Sequence, residues 1–135
     1  MWATAPRTVR TVALGAVVVL AYGTAVHVVQ LVRSGLDPYP ELPVWLRVYF
    51  VGLTLLDPLA GVLLARARRS GVVLTVAVLV TDAAANAWAN YALDDASGLT
   101  AGRVGQAVLT VLAVVAVVMT GPLWRHAWGP AGCGV

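Results

Sequence analysis

The stretch that decides the fold is residues 71–93, GVVLTVAVLVTDAAANAWANYAL. A helix of about 20 apolar residues is long enough to cross the ~30 Å hydrocarbon core of a bilayer. This stretch has that length, and it is apolar except where Asp82, Asn86 and Asn90 recur at every fourth position. On a helix such a spacing places the three side chains in one stripe. The stretch therefore predicts a transmembrane helix that carries a polar stripe.

The composition of the whole chain is typical of a membrane protein. Of its 135 residues 60% are hydrophobic and 11% are charged, whereas a soluble domain needs more polar surface to cover its core. The net charge of +3 is modest, and the arginines are not interleaved with aromatic residues, so a nucleic-acid partner is not expected. A single cysteine, Cys133, permits neither an intrachain disulfide nor a cysteine-based metal site. We expect no metal and no cofactor, and we expect residues 129–135 to form a flexible tail.

Four apolar segments predict the architecture. They cover about residues 12–32, 44–65, 71–93 and 104–123. Only helices and closed barrels can span lipid, and these segments lack the alternation of barrel strands. The sequence therefore predicts an all-α bundle of four transmembrane helices in one domain, residues 1–128.

The arginine distribution predicts the orientation of the bundle. The N-terminus, the second loop and the C-terminal segment hold Arg7, Arg10, Arg66, Arg68, Arg69 and Arg125, whereas the opposite side holds Arg33, Arg47 and Arg103. Because basic residues favour the cytoplasmic side, both termini are expected in the cytoplasm. Isoleucine and lysine are absent, which is typical of a GC-rich bacterial genome. We therefore expect a multi-pass protein of the bacterial cytoplasmic membrane.

The polar residues inside these helices are the candidates for function. Asp82 lies about 16 Å from the cytoplasmic end of its helix, close to the midplane, and Asp57 lies about one helical turn deeper. An ionised aspartate at the bilayer centre costs roughly 2.5–3.5 kcal/mol, so both acids should be partnered or neutralised. If the two acids approach each other they can share a proton, and His27 is an alternative partner for Asp82. Asp82, Asp57 and His27 are the candidate catalytic groups, and the candidate ligand contacts are Asn86, Asn90, Thr54, Gln30, Trp45 and Tyr49.

A purely structural interpretation remains open for the same residues. Asparagine and aspartate side chains often form hydrogen bonds between membrane helices. Gln30 and Gln106 in particular are interpreted as helix-interface residues more readily than as ligands. Pro58 follows Asp57 directly and removes the backbone hydrogen bond to the carbonyl of Thr54, which predicts a bend beside the acid.

One segment resembles a known family. Residues 43–71, PVWLRVYFVGLTLLDPLAGVLLARARRSG, open a helix with proline, tryptophan and arginine, continue through a mid-helix proline and end in basic residues. Together with His27 and Asp37, this pattern resembles the EXPERA family, which includes the emopamil-binding sterol isomerase and the sigma-2 receptor. The chain differs where family members carry polar residues before the helix-two proline, since it has Leu56 and Gly52 there. The resemblance implies four helices around a pocket for a lipophilic molecule.

Two hypotheses about function follow. The first is an intramembrane pocket for an isoprenoid- or sterol-like molecule, with acid–base isomerase or cyclase chemistry as its enzymatic form. The second is a non-enzymatic component for transport or assembly, whose polar stripe packs helices, a second copy of the chain or a membrane partner. An ion channel is disfavoured because residues 111–119 of the fourth helix are uniformly apolar.

Overall fold

The protein is a helical bundle in the computed structural model, which describes residues 2–35, 37–95 and 97–128. The prediction of a flexible tail at residues 129–135, with Cys133, lies outside the described residues. No strand occurs in the described part of the chain, and an isolated backbone bridge joins Arg68 to Trp128. The helices are α1 (Arg7–Ser34), α2 (Val44–Ala65), α3 (Arg69–Trp88), α4 (Ala101–Val118) and α5 (Thr120–His126), and a π-helical segment, Ala89–Leu93, continues α3.

Four of these helices are long and apolar enough to cross a membrane. They are α1, α2, α4 and the continuous helix Arg69–Leu93 formed by α3 and the π-helical segment. Large apolar side chains such as Val18, Leu55 and Val118 are exposed on the outside of the bundle, where lipid is the natural solvent. The prediction of an all-α bundle with four membrane spans is confirmed, and the chain is a multi-pass membrane protein.

The fourth span ends earlier than the sequence suggested. It was predicted to continue to residue 123, but α4 ends at Val118 and α5 begins at Thr120. Pro122 lies in the first turn of α5, and its ring nitrogen cannot donate to the carbonyl of Val118, four residues before it. The proline explains why the regular helix stops there. By contrast, α2 continues through Pro58 from Val44 to Ala65 as a single helix.

One end of the bundle is closed by a hydrophobic cluster. Trp2, Leu64, Val72 and Leu123 are buried together there, and the indole nitrogen of Trp2 donates to the carbonyl of Leu64 at 2.8 Å. The beginning of the chain, the α2–α3 turn and α5 therefore meet at the same end. This arrangement agrees with both termini lying on one side of the membrane, while the cytoplasmic identity of that side stays a prediction.

The turn between α2 and α3 is unusually tight. Ala67 has a positive φ of 53°, and the amide of Arg68 donates to the carbonyl of Leu63 at 3.0 Å, which ends α2. Gly71, in the first turn of α3, lies so close to the backbone of Leu63 and Leu64 that a Cβ atom would collide with it. Glycine is thus required for α3 to start directly against the end of α2.

The helices pack in chain order. α1 packs on α2, α2 on α3 and α3 on α4, whereas α1 and α4 make little contact with each other. A cyclic bundle closes its last helix against its first, but this one leaves the seam between α1 and α4 largely open. That open seam positions the candidate site.

Candidate site: an intramembrane cavity

A cavity of about 840 Å³ occupies the half of the bundle away from the buried Trp2 cluster. α1, α2, α3 and α4 all contribute to its wall, and most of the wall is apolar. Its volume lies in the range of sites that enclose a small molecule, roughly 300–1,000 Å³. The polar side chains on the wall are Tyr22, His27, Gln30, Tyr39, Asp57, Asp82, Asn86, Asn90 and Gln106.

Asp57 and His27 form the polar contact between α1 and α2. Asp57 is buried, with 5% of its surface exposed, and its Oδ2 lies 3.9 Å from Nε2 of His27. Gly23, one turn before His27, leaves the room that the carboxylate needs, since a Cβ atom there would collide with Oδ2. Asp57 therefore lies against the backbone of α1 with an imidazole beside it.

The pairing of His27 differs from the sequence-based prediction. His27 was considered as a partner of Asp82 on α3, but the structure places it against Asp57 on α2. The physical reason is helix order, because α1 packs extensively on α2 and makes little contact with α3. Depth along the membrane normal did not reveal which helix is the neighbour.

A second group of contacts fixes the His27 ring from the other side. Nδ1 of His27 lies 3.3 Å from Oε1 of Gln30, and the hydroxyl of Tyr39 also donates to this oxygen. If the amide oxygen accepts a hydrogen bond from the ring, Nδ1 carries the proton; Nε2 is the nitrogen that is directed at Asp57. Burial raises the pKa of the Tyr39 phenol, against the opposing effect of the Gln30 hydrogen bond, so its hydroxyl remains a donor at neutral pH.

The polar stripe of α3 lies on the cavity wall. Nδ2 of Asn86 donates to Oδ1 of Asp82 at 2.8 Å and to the carbonyl of Asp82 at 3.1 Å. Nδ2 of Asn90 donates to the carbonyl of Asn86 at 2.9 Å. Asn90 belongs to the π-helical segment, an irregularity that often occurs at functional sites. A Cβ atom on Gly102 of α4 would collide with Oδ1 of Asn90, so a glycine on α4 gives this amide its space.

Three of the predicted ligand contacts do not line the cavity. Trp45 is 58% exposed, about 140° around α2 from the cavity-lining Phe50, and so points away from it. The hydroxyl of Tyr49 lies 2.8 Å from Oγ1 of Thr81. Oγ1 of Thr54 is buried without a hydrogen-bond partner in the described part of the chain. The other predicted residues, namely Asp82, Asp57, His27, Asn86, Asn90 and Gln30, share the cavity.

Sequence reasoning missed Gln106 as a cavity residue. It was interpreted as a helix-interface residue, and its Nε2 does donate to the carbonyl of Ala83 on α3, at 2.9 Å. The same side chain also lines the cavity. Its signal in the sequence was present, because Gln106 and Arg103 are the polar residues in the first half of the fourth span.

The α1–α2 loop lines one end of the cavity, and one flank of the cavity is open. Tyr39 and Leu42 of this loop line the end of the cavity that is farther from the Trp2 cluster. Nη1 of Arg47 lies 2.6 Å from Oδ1 of Asp37 and so ties the loop to α2. On the flank, Tyr22 of α1 is 71% exposed and Val108 of α4 is 55% exposed, yet both line the cavity. The opening therefore lies between α1 and α4, along the part of the surface that faces lipid.

The described residues contain no group of three or more histidine, cysteine, aspartate and glutamate side chains that could hold a metal ion. Comparisons of the chain with protein-family models, with curated proteins and with solved structures find no match. The functional interpretation consequently depends on the geometry of the cavity.

Proposed function

We propose that this protein binds a lipophilic small molecule of isoprenoid- or sterol-like size inside the membrane. The observation that carries the proposal is the cavity of about 840 Å³, whose apolar wall bears two carboxyl groups, an imidazole and four primary amides. An apolar wall with a few convergent polar groups is the usual form of a small-molecule site. The resemblance to EXPERA proteins points to the same class of ligand.

The arrangement of the polar groups favours a ligand over a packing role. Polar side chains whose role is to join helices are expected to form hydrogen bonds with neighbouring helices and to border no void. Here the amides of Asn86 and Asn90 bond within their own helix, and Asp57 and Asp82 both line a void. A buried carboxyl group that borders empty space is costly unless a ligand uses it.

Acid–base isomerisation is the second candidate, and the His27–Asp57 contact favours it. Two carboxyl groups and an imidazole in one cavity can divide the roles of proton donor and proton acceptor. A protonated carboxyl group of Asp82 would donate its proton to one carbon of an alkene. Asp57, assisted by His27, would remove a proton from the carbon next to the resulting cation, so that the double bond moves and no atoms are gained or lost.

A pair of matched glycine variants tests the binding proposal. Gly105 on α4 lines the cavity and Gly52 on α2 does not, and neither has an atom within 4 Å of an added Cβ. Wild-type protein, Gly105→Leu and Gly52→Leu are purified in nanodiscs, and organic extracts of each are compared by mass spectrometry. We expect a molecule other than bulk phospholipid in the wild type and in Gly52→Leu, and its loss in Gly105→Leu. Only bulk phospholipid in all three samples would contradict the proposal.

The same three proteins, wild type, Gly105→Leu and Gly52→Leu, test the alternative of a protein occupant. If the cavity is an interface, cross-linking in native membranes should give a dimer or a defined heteromer that Gly105→Leu disrupts and Gly52→Leu preserves. We expect no such species. Detection of such a cross-linked species, together with organic extracts that contain only bulk phospholipid, would favour the non-enzymatic assembly role.

A further inference from the structure

Gln106 presents an unused hydrogen-bond acceptor at the cavity. The residue is 6% exposed, and its Oε1 is buried without a hydrogen-bond partner among the residues that the structure describes. A buried carbonyl that is left unsatisfied costs roughly 1–3 kcal/mol, so a native protein seldom keeps one without a reason. The side chain also lines the cavity, which provides open space that a partner could fill.

The orientation of this amide follows from its chemistry. Nε2 contacts the carbonyl of Ala83 at 2.9 Å, and a backbone carbonyl can only accept a hydrogen bond. The atom that faces Ala83 must therefore be the NH₂ group, and the oxygen must be the atom that faces away. Nε2 also donates to Oγ1 of Thr110, at 3.0 Å. Both donors of the Gln106 amide are thus used by the protein.

Two of the other three amides on the cavity wall, Asn86 and Asn90, have the same bias. The NH₂ groups of Asn86 and Asn90 are directed at acceptors on their own helix. The wall also carries the carboxyl groups of Asp57 and Asp82, while no arginine lines it. Three of the four wall amides therefore use their donors within the protein, whereas Gln30 uses its oxygen, which contacts Tyr39 and His27.

We infer that the polar group of the ligand carries an N–H or O–H donor, and that the carbonyl oxygen of Gln106 recognises it. This inference rests on the proposed function, since it names the ligand chemistry of the same cavity. Gln106 is then a specificity-determining residue: it favours an alcohol or an amine over an ether, a ketone or a quaternary ammonium. The donor that binds it satisfies the last buried polar atom of the side chain.

The test uses two pairs of probes that differ in their donors. Dodecanol is compared with dodecyl methyl ether, and dodecylamine with dodecyltrimethylammonium, by titration into nanodiscs that contain the protein. Partition into lipid is the same for all variants and cancels when each variant is compared with the wild type. Gln106→Met keeps the approximate shape and removes the acceptor. Thr110→Val removes a neighbour of Nε2 and keeps the acceptor, so it is the matched control.

We expect Gln106→Met to weaken dodecanol and dodecylamine binding by about five- to tenfold, the usual effect of one lost hydrogen bond. Binding of the ether and the quaternary ammonium should not change, and Thr110→Val should leave all four probes unchanged. Gln106→Glu retains an oxygen acceptor and should retain the preference for donors, which covers the case in which Gln106→Met does not fold.

Two outcomes separate this inference from the proposed function. If Gln106→Met weakens both members of each pair equally, or neither, the donor recognition is wrong although a ligand still binds. If no probe binds the wild type and its organic extract contains only bulk phospholipid, the proposed function fails as well. The inference would also be overturned if the wild type bound dodecanol and dodecyl methyl ether equally well.

Discussion

At the scale of single residues, the site depends on where two carboxyl groups are held. Asp82 accepts a hydrogen bond from the Asn86 side chain one turn further along α3. Asp57 lies beside His27 and against the glycine at position 23. Substitutions at these positions can change the contacts of each acid without altering the helices. The contribution of each acid to binding and to stability can therefore be measured separately.

Asp82→Asn should separate function from stability. Asparagine keeps an Oδ1 acceptor for Asn86 and removes the carboxyl proton and the charge, whose burial is costly. We expect a melting temperature equal to or above that of the wild type, and dodecylamine binding about tenfold weaker. Circular dichroism and titration in nanodiscs measure the two quantities. Unfolding of the variant would instead assign Asp82 a structural role.

Gly23→Ala should displace Asp57. The added methyl group would meet Oδ2 of Asp57, so the carboxylate would have to move, whereas Gly15 in the same helix has no atom within 4 Å of an added Cβ. Gly15→Ala should gain up to about 1 kcal/mol from helix propensity. Gly23→Ala should show less of this gain and lose dodecylamine binding. Equal stability and equal binding in the two variants would mean that the position of Asp57 does not depend on Gly23.

At the scale of helices, close approach is controlled by a few glycines and prolines. Pro122 ends α4 at Val118, and Gly71 lets α3 start against the end of α2. Gly102 admits the side chain of Asn90 against α4. These residues determine how near neighbouring helices come to each other, and hence which side chains share the cavity.

Gly71→Ala should be strongly destabilising. Its Cβ atom would collide with backbone atoms of Leu63 and Leu64, and backbone in a tight turn cannot move aside as a side chain can. We expect a loss of about 1–3 kcal/mol in the free energy of unfolding, the usual cost of overpacking. Gly52→Ala, in open space on α2, is the control and should be neutral or stabilising. Denaturation in mixed micelles gives both values, and a neutral Gly71→Ala would show that the turn can relax.

At the scale of the whole molecule, the decisive property is that α1 and α4 leave their seam open. The loop that holds Tyr39 lines one end of the cavity, and the Trp2 cluster closes the opposite end of the bundle. In the proposed function, entry between α1 and α4 would let a lipophilic molecule reach Asp57 and Asp82 directly from the bilayer. Which leaflet it comes from depends on the orientation of the bundle.

Cysteine labelling should establish that orientation. In a Cys133→Ser background, Ser97→Cys places one thiol in the loop before α4, on the side predicted to be external from the arginine distribution. We expect an impermeant maleimide to label this thiol on intact cells. In the wild-type protein, we expect native Cys133 to react only after the cells are opened. The reverse pattern would put both termini outside and place the cavity in the cytoplasmic half of the membrane.

The sequence by itself determined the helical spans and much of the site. Hydrophobic length and four-residue spacing are local properties, so the four spans and the Asp82–Asn86–Asn90 stripe could be predicted without knowledge of the packing. The early end of α4 had its signal in Pro122, whose effect on the carbonyl of Val118 is equally local.

Only the tertiary structure decided which helices are neighbours. Depth places a residue along the membrane normal but does not give the direction in which it points, so the sequence could not pair His27 with Asp57 rather than with Asp82. For the same reason, the sequence could not show that Trp45 points away from the cavity whereas Gln106 lines it, with its amide bonded to the carbonyl of Ala83 on α3. The open seam between α1 and α4 is a property of four helices packed together, and no single segment encodes it.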